Sequence, residues 1–195
     1  MARAGEIIEN RVTGERMLFR AATAPGAADV FRADIFVKPY GRVGCTHIHT
    51  RQDEHLSVVA GRIGYSSGRD EGVLGARQSA TFPRGKPHLF WNAGDSEAQV
   101  ILELRPAEGA EALFEWLYRL SREGRTDEQG VPGALELAVM ARRFGYFTAG
   151  APLAVQRPIA MTFSVLARVF GVDARSTRPG NGAEPRRADR GRRRG

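Results

Sequence analysis

The sequence predicts a mainly β protein in which a β-sandwich or barrel is followed by two or three α-helices. From Ile7 to about Arg105, short apolar runs recur roughly every ten residues, with Gly, Pro, Asp and Ser between them. This pattern is typical of an antiparallel sandwich or barrel. After Pro106 the apolar spacing becomes helical. After Val172 no large apolar residue remains, which predicts a tail without a core.

The predicted strands are runs rich in Val, Ile, Phe and Thr, with alternation of apolar and polar residues that suits a sheet with one buried face. They comprise MLFRAA (17–22), VFRADIFV (30–37), HLSVVAGRIGYSS (55–67), SATFP (79–83), HLFWN (88–92) and AQVILEL (98–104).

Two helices are predicted over residues 109–124 and 133–145, and a third candidate covers 157–171; each ends at a glycine. Pro158 is placed near the first turn of the third helix. The predicted organisation is a barrel over residues 1–106, a helical extension over 107–172 and a disordered tail over 173–195. The extension is expected to pack on the barrel or across a dimer interface.

The basic charge lies mainly in the tail. Residues 173–195 contain eight arginines and three acids, which is +5 of the net +7, so the other 172 residues carry about +2. A solvated tail is preferred to a polyanion-binding arm, and nucleic acid is not an expected partner. Cys45 is the single cysteine, and the polar N-terminus has no signal-like apolar segment. A cytoplasmic location is therefore expected.

The candidate site consists of histidines and one glutamate inside the β region. All four histidines fall between residues 47 and 88. His47 and His49 are two residues apart, so on a strand both imidazoles point to the same face. Glu54 follows after a polar break, and His88 begins the run HLFWN after the turn PRGKP. If the His88 strand lies near the first pair, three imidazoles and one carboxylate surround a common point.

These residues resemble the two sequence motifs of the cupin superfamily, and they fill nine of its ten fixed positions. The matching residues are Gly41, His47, His49, Glu54 and Gly61 in the first motif, and Pro83, Gly85, His88 and Asn92 in the second. Arg77 stands where the second motif has its opening glycine, which affects a turn. The resemblance, to small bacterial single-cupin proteins with helical extensions, implies a cupin-type, jelly-roll-like β-barrel (double-stranded β-helix). It also implies that His47, His49, Glu54 and His88 are metal ligands.

Three histidines and a glutamate leave open positions on an ion, which favours Fe(II) over Mn(II), Ni(II) or Zn(II). The predicted function is a mononuclear non-haem oxygenase of dioxygenase type that acts on a small metal-chelating substrate. The alternatives are a metal-assisted isomerase, cyclase or lyase that does not use dioxygen, and a small-ligand-binding protein without turnover. No catalytic residue beyond the ligands and no organic cofactor is assigned.

Other residues near the motifs have simpler interpretations. His55 neighbours Glu54, so it is expected on the opposite face of its strand. Cys45 lies two residues before His47, so on a strand it would face the same side. A role as a small buried side chain is preferred to that of a reactive thiol. Among the aromatic residues, Phe90 is the best candidate for a pocket wall, ahead of Phe82 and Trp91.

The helical third has no acidic residue between Leu137 and Val172 but contains four arginines. Packing on the barrel or in a homodimer is preferred to peripheral contact with an anionic membrane. Leu113, Phe114 and Leu117 are predicted to be buried against the barrel or a second subunit.

Overall fold

Two antiparallel sheets form the body of the protein. The structure is a computed structural model that describes residues 5–20 and 29–172, and within these residues eleven strands are present. The first sheet has the order β1 (Ile7–Glu9), β2 (Arg16–Phe19), β3 (Phe31–Val37), β10 (Ala98–Arg105), β5 (Asp53–Ala60) and β8 (Ser79–Phe82). The second has the order β11 (Tyr146–Thr148), β4 (His47–His49), β9 (His88–Asn92), β6 (Ile63–Ser67) and β7 (Asp70–Leu74). The predicted fold class is confirmed, with two jelly-roll-like sheets in place of a closed barrel.

The main core follows from the period-two pattern of the strands. In β10, Val100, Leu102 and Leu104 are buried while the residues between them are partly exposed. β10 lies between β3 and β5, and Leu102 pairs with Ala33 on one side and Leu56 on the other. One face of these strands therefore forms a continuous apolar surface that a second layer must cover.

Three helices follow: α1 (Ala110–Arg122), α2 (Ala134–Phe144) and α3 (Leu153–Val169). The first two agree with the prediction within two residues. The third begins four residues earlier than predicted, so Pro158 lies inside it. Pro158 lacks the N–H that would bond to the carbonyl of Ala154, so the helix continues with one missing hydrogen bond. None of the helices in the described ranges is long and apolar enough to cross a membrane.

α1 packs on the sheets. Phe114 and Leu117 are partly buried against the sheet core, as predicted, whereas Leu113 is 0% exposed and packs mainly with residues of α1 and α2. The Phe114 ring stacks on Phe31 with 5.3 Å between centroids. α2 packs on the outer side of β4, and α3 packs mainly on α2. The predicted disordered tail, 173–195, lies outside the described residues.

Candidate metal centre

β4 is a three-residue strand that turns two histidines to the same side. His47 and His49 point between the sheets, whereas Ile48 packs outward with Ala138 and Phe147. A β-branched apolar residue between the histidines thus fixes which face each side chain takes, because neighbouring residues on a strand alternate.

The other two residues come from different strands. His88 opens β9 and is the direct cross-strand partner of His47. Glu54 lies on β5 of the opposite sheet. The exposed fractions of His47, His49, Glu54 and His88 are 7%, 2%, 2% and 1%. The structure therefore brings together all four residues that the sequence singled out.

The ring nitrogens converge on one carboxylate oxygen. Oε2 of Glu54 is 3.2 Å from Nε2 of His49, 3.3 Å from Nε2 of His88 and 3.8 Å from Nε2 of His47. One potential ligand atom from each residue lies within 4.8 Å of the others. Such a buried set can hold one metal ion.

Backbone carbonyls orient two of the imidazoles. Nδ1 of His47 is 2.8 Å from the carbonyl oxygen of Cys45, and Nδ1 of His88 is 2.9 Å from that of Lys86. A carbonyl only accepts, so each Nδ1 carries the proton and donates it. The Nε2 lone pair of each neutral ring is then free for a cation, which is the usual arrangement of metal-binding histidines.

Electrostatics in the metal-free protein favour neutral His47 and ionised Glu54. Burial lowers the pKa of His47 to about 4, with a further contribution from His88. Burial by itself would raise the pKa of Glu54, but the three histidines outweigh it and hold that pKa well below its usual range. For His88, the Glu54 carboxylate outweighs burial and raises the pKa.

The residues present fit a divalent ion. Three imidazoles and a carboxylate suit transition metals, and Nδ1 of His49 and Oε1 of Glu54 are buried without a hydrogen-bond partner among the described residues. Unpartnered buried polar atoms cost free energy and require an explanation, which a bound cation and its own ligands would supply. A metal ion is therefore the group that this cluster suits best, and the geometry alone does not identify the element.

Tyr146 is a neighbour of the cluster that the sequence did not indicate. It is buried on β11, which pairs with β4, and its ring stacks on His47 with 4.9 Å between centroids. Its hydroxyl lies 3.9 Å from Sγ of Cys45. Burial raises the pKa of Tyr146 well above 10, so the phenol stays protonated. A three-residue strand between two helices is too short to show an apolar period.

The other residues that the sequence analysis considered lie in different places relative to the cluster. His55 lies away from the cluster, with Nδ1 2.8 Å from the hydroxyl of Thr81. Cys45 is half-buried and lines the cavity, and burial raises the pKa of its thiol. Phe90 lines the same cavity, as expected. Phe82 instead stacks on His88 at 4.9 Å, and Trp91 packs over Gly64.

The cluster opens into a small cavity roofed by α1. The cavity measures about 50 Å³, and α1 contributes Leu113, Phe114, Leu117 and Tyr118 to its wall. A wider cleft of about 580 Å³ shares Gly44, Cys45 and Val131 with it. The small cavity has room for only a short part of a bound molecule beside the cluster, and the wider cleft has room for a larger part.

Comparison with known proteins agrees with this architecture. Residues 35–103 match the Cupin_2 family, described as a cupin domain. A polyketide synthase protein from Streptomyces cyaneus, CurC, is 32% identical over 103 residues, which cover 52% of this chain and 66% of that protein. The match thus spans slightly less than two thirds of the relative.

Solved structures with the same kind of fold include an RmlC-like cupin from Shewanella frigidimarina, with 20% identity, a TM-score of 0.47 and coverage of 55% of this chain and 88% of that one. KdgF from Halomonas sp. is 18% identical, with a TM-score of 0.45 and coverage of 51% and 84%. The family match, with both motifs carried on the two sheets, identifies residues 35–103 as a cupin domain.

Proposed function

We propose that this protein is a metal-dependent enzyme, an Fe(II) oxygenase, that acts on a small substrate chelating the ion through oxygen atoms. The observation that carries the proposal is the convergence of three Nε2 atoms and one carboxylate in a buried cluster at the wall of an apolar cavity. His47, His49, Glu54 and His88 would hold the ion. Four protein ligands leave positions for substrate in a five- or six-coordinate shell.

When bound, a divalent ion would polarise the substrate oxygens as a Lewis acid and, as Fe(II), would supply the redox chemistry that oxygenation requires. The chain's own residues prepare the site. The carbonyls of Cys45 and Lys86 hold two imidazoles in a fixed tautomer. Phe90 and the apolar residues of α1 exclude water from the cavity, which strengthens electrostatic interactions inside it.

The substrate class follows from the cavity and from the curated relative. An apolar cavity with charged groups at one wall suits a mostly carbon compound with neighbouring carbonyl, enol or phenol oxygens. The relative from Streptomyces cyaneus is described as a polyketide synthase protein, and polyketides carry such oxygens. A β-diketone or phenolic polyketide fragment is therefore the first substrate class to test.

A second candidate, metal-assisted cyclisation or isomerisation without dioxygen, is favoured by an acid that shares the cavity. Glu15 lines the same cavity, and burial raises its pKa to about 7, so it can exchange a proton near neutral pH. This chemistry needs a Lewis acid and a proton donor but no oxidant.

One experiment separates the two reactions. The protein is loaded anaerobically with Fe(II) or Zn(II) and mixed with β-diketones and polyphenols, and oxygen uptake and products are followed. Oxygenation predicts that product forms only with Fe(II) and oxygen together. Product formed with Zn(II) in the absence of oxygen would instead identify the cyclase or isomerase reaction. A His55→Ala variant is the matched control, because this histidine lies outside the cluster.

A further inference from the structure

A second polar group faces the cavity that contains the histidine cluster. Glu15 and Tyr118 line it together with His47, His49 and Glu54. Glu15 precedes β2 and is 5% exposed, whereas Tyr118 lies on α1 and is 1% exposed. They come from parts of the chain more than 100 residues apart. Most of the remaining wall is apolar.

Glu15 and Tyr118 interact with each other, but part of their hydrogen-bonding capacity is unused. Oε2 of Glu15 and the hydroxyl of Tyr118 are buried and have no partner of standard hydrogen-bond geometry within residues 5–20 and 29–172. A buried polar atom without a partner costs free energy, so its retention calls for a ligand or water that completes it.

The turn that carries Glu15 does not need the carboxyl for its shape. Oδ1 of Asn10 accepts hydrogen bonds from the backbone N–H groups of Val12 and Thr13 and from the hydroxyl of Ser121. The backbone N–H of Asn10 also donates to the carbonyl of Glu15 at 2.9 Å. The turn and its docking on α1 are thus secured mainly by Asn10, and the Glu15 carboxyl adds interactions with the side chains of Asn10 and Tyr118.

Burial sets the protonation of the pair. It raises the pKa of Glu15 to about 7, although the neighbouring Tyr118 and Asn10 lower it in part. Burial, with the nearby Glu15 charge, raises the pKa of Tyr118 well above 10. Near neutral pH, Glu15 is therefore present both as a donor and as an acceptor, while Tyr118 remains a donor.

We propose that Glu15 and Tyr118 form a second substrate-binding subsite, which holds an oxygen of the substrate and exchanges a proton with it. The inference rests on the proposed function and extends it to a substrate with oxygens on both sides of a short apolar segment. Protonated Glu15 donates to a carbonyl oxygen. Ionised Glu15 takes the proton of an enol or phenol, so that the substrate O–H bond breaks, a carboxyl O–H bond forms and the substrate becomes an enolate or phenolate. Tyr118 donates to the same oxygen and stabilises that charge.

The test compares two probes on Zn(II)-loaded protein by isothermal titration calorimetry. 2,4-Pentanedione has oxygens for the ion alone, and 2,4,6-heptanetrione adds a third oxygen. We expect the triketone to bind the natural protein at least tenfold more tightly than the diketone. Glu15→Leu should bring this ratio close to one, Tyr118→Phe should reduce it, and Glu15→Gln should preserve it at pH 6, because an amide still donates.

Controls separate this inference from the function on which it rests. Glu111→Gln, an acid of α1 outside the cavity wall, should leave the ratio unchanged, and circular dichroism verifies that each variant is folded. If the natural protein binds no Zn(II), or binds Zn(II) but no diketone, the proposed function is overturned. A normal diketone affinity with a ratio near one in the natural protein, or an unchanged ratio in Glu15→Leu, would overturn the subsite alone.

A second readout follows the proton directly. The infrared band of the protonated carboxyl, identified by its loss in Glu15→Gln, should decrease as the pH rises through 7 and shift when the triketone binds. A carboxyl with a merely structural role would titrate without responding to the probe, and that result would also count against the subsite.

Discussion

Arg77 has a backbone conformation that suits glycine. Its φ is 69°, in the left-handed region, and its N–H donates to the carbonyl of Val58 at 2.8 Å, which holds the loop in this shape. The second cupin motif has glycine at this position, and the structure shows the reason. A side chain there costs roughly 1 kcal/mol, because its Cβ crowds the backbone.

Arg77→Gly is therefore expected to stabilise the protein by up to about 1 kcal/mol, which for a chain of this length raises Tm by about 2–4 °C. Thermal unfolding followed by circular dichroism measures the change. Arg69→Gly is the matched control: this exposed turn arginine is not among the residues with positive φ, so the same substitution should not stabilise. A lower Tm for Arg77→Gly would contradict the argument.

Glu15 makes stability depend on pH, and the sign follows from proton binding. The folded pKa is about 7 against an ordinary 4.5. Between these values the folded protein binds more protons than the unfolded chain, so stability falls as the pH rises from 4.5 through 7. A difference of about 2.5 units corresponds to about 3 kcal/mol, which is lost in full only above pH 7.

Glu15→Gln removes this ionisation. The free energy of unfolding of the variant minus that of the natural protein should therefore be larger at pH 8 than at pH 5, by up to about 3 kcal/mol. Urea unfolding of the two proteins, both treated with chelator, at both pH values gives the comparison. If the variant and the natural protein differ in stability by the same amount at both pH values, folding does not raise the pKa of Glu15, and the argument is wrong.

The sequence was sufficient to predict the cluster but not the rest of the cavity. His47, His49, Glu54 and His88 lie within 42 residues, and their roles are marked by strand alternation and turns. Glu15, Tyr118 and Tyr146 reach the cavity from a turn, a helix and a three-residue strand that are distant in the chain. No local sequence pattern indicates that these side chains come together, because this depends on how the elements pack.

At the scale of elements, α1 and α3 behave differently although both were predicted from the same apolar spacing. α1 packs Phe114, Leu117 and Tyr118 against the sheets and its other large apolar residues against α2. α3 buries only the small side chains of Ala160, Ser164 and Ala167 and leaves larger ones exposed. Apolar periodicity indicates that a helix has such a face, but it does not say which partner covers it.

The exposed face of α3 is proposed as the interface of the homodimer expected from the sequence. Ile159, Phe163, Leu166 and Phe170 are spaced four, three and four residues apart, which is the seam of two paired helices. They are 52%, 38%, 43% and 71% exposed. Exposed apolar residues grouped along one helix face are typical of interaction surfaces. A second copy of α3 offers the same seam.

Light scattering should therefore give twice the chain mass of 21.3 kDa, and Phe163→Asp should give the monomer. A charge at the centre of an apolar interface is costly, whereas Met161→Asp, at an exposed position of α3 outside the seam, should leave the dimer intact. A monomeric natural protein that co-sediments with anionic liposomes through Arg157 and Arg168 would contradict the dimer and favour the membrane alternative.

For the whole molecule, the cluster links the two sheets. Glu54 belongs to β5 of one sheet, and the three histidines belong to β4 and β9 of the other. A bound ion would therefore connect two layers that otherwise meet mainly through apolar contacts. Because unfolding separates the ligands, the binding free energy would become folding free energy.

Metal loading is thus expected to stabilise the whole fold. At a free metal concentration 1,000 times Kd the gain is about 4 kcal/mol, or a Tm increase on the order of 10 °C. Calorimetric scans of chelator-treated and metal-loaded protein measure the shift. His88→Ala should remove it, because one ligand from β9 is lost, whereas His55→Ala should preserve it, because that histidine lies outside the cluster. A loaded protein that binds one ion per chain without a change in Tm would show that the ion is held outside the junction of the sheets.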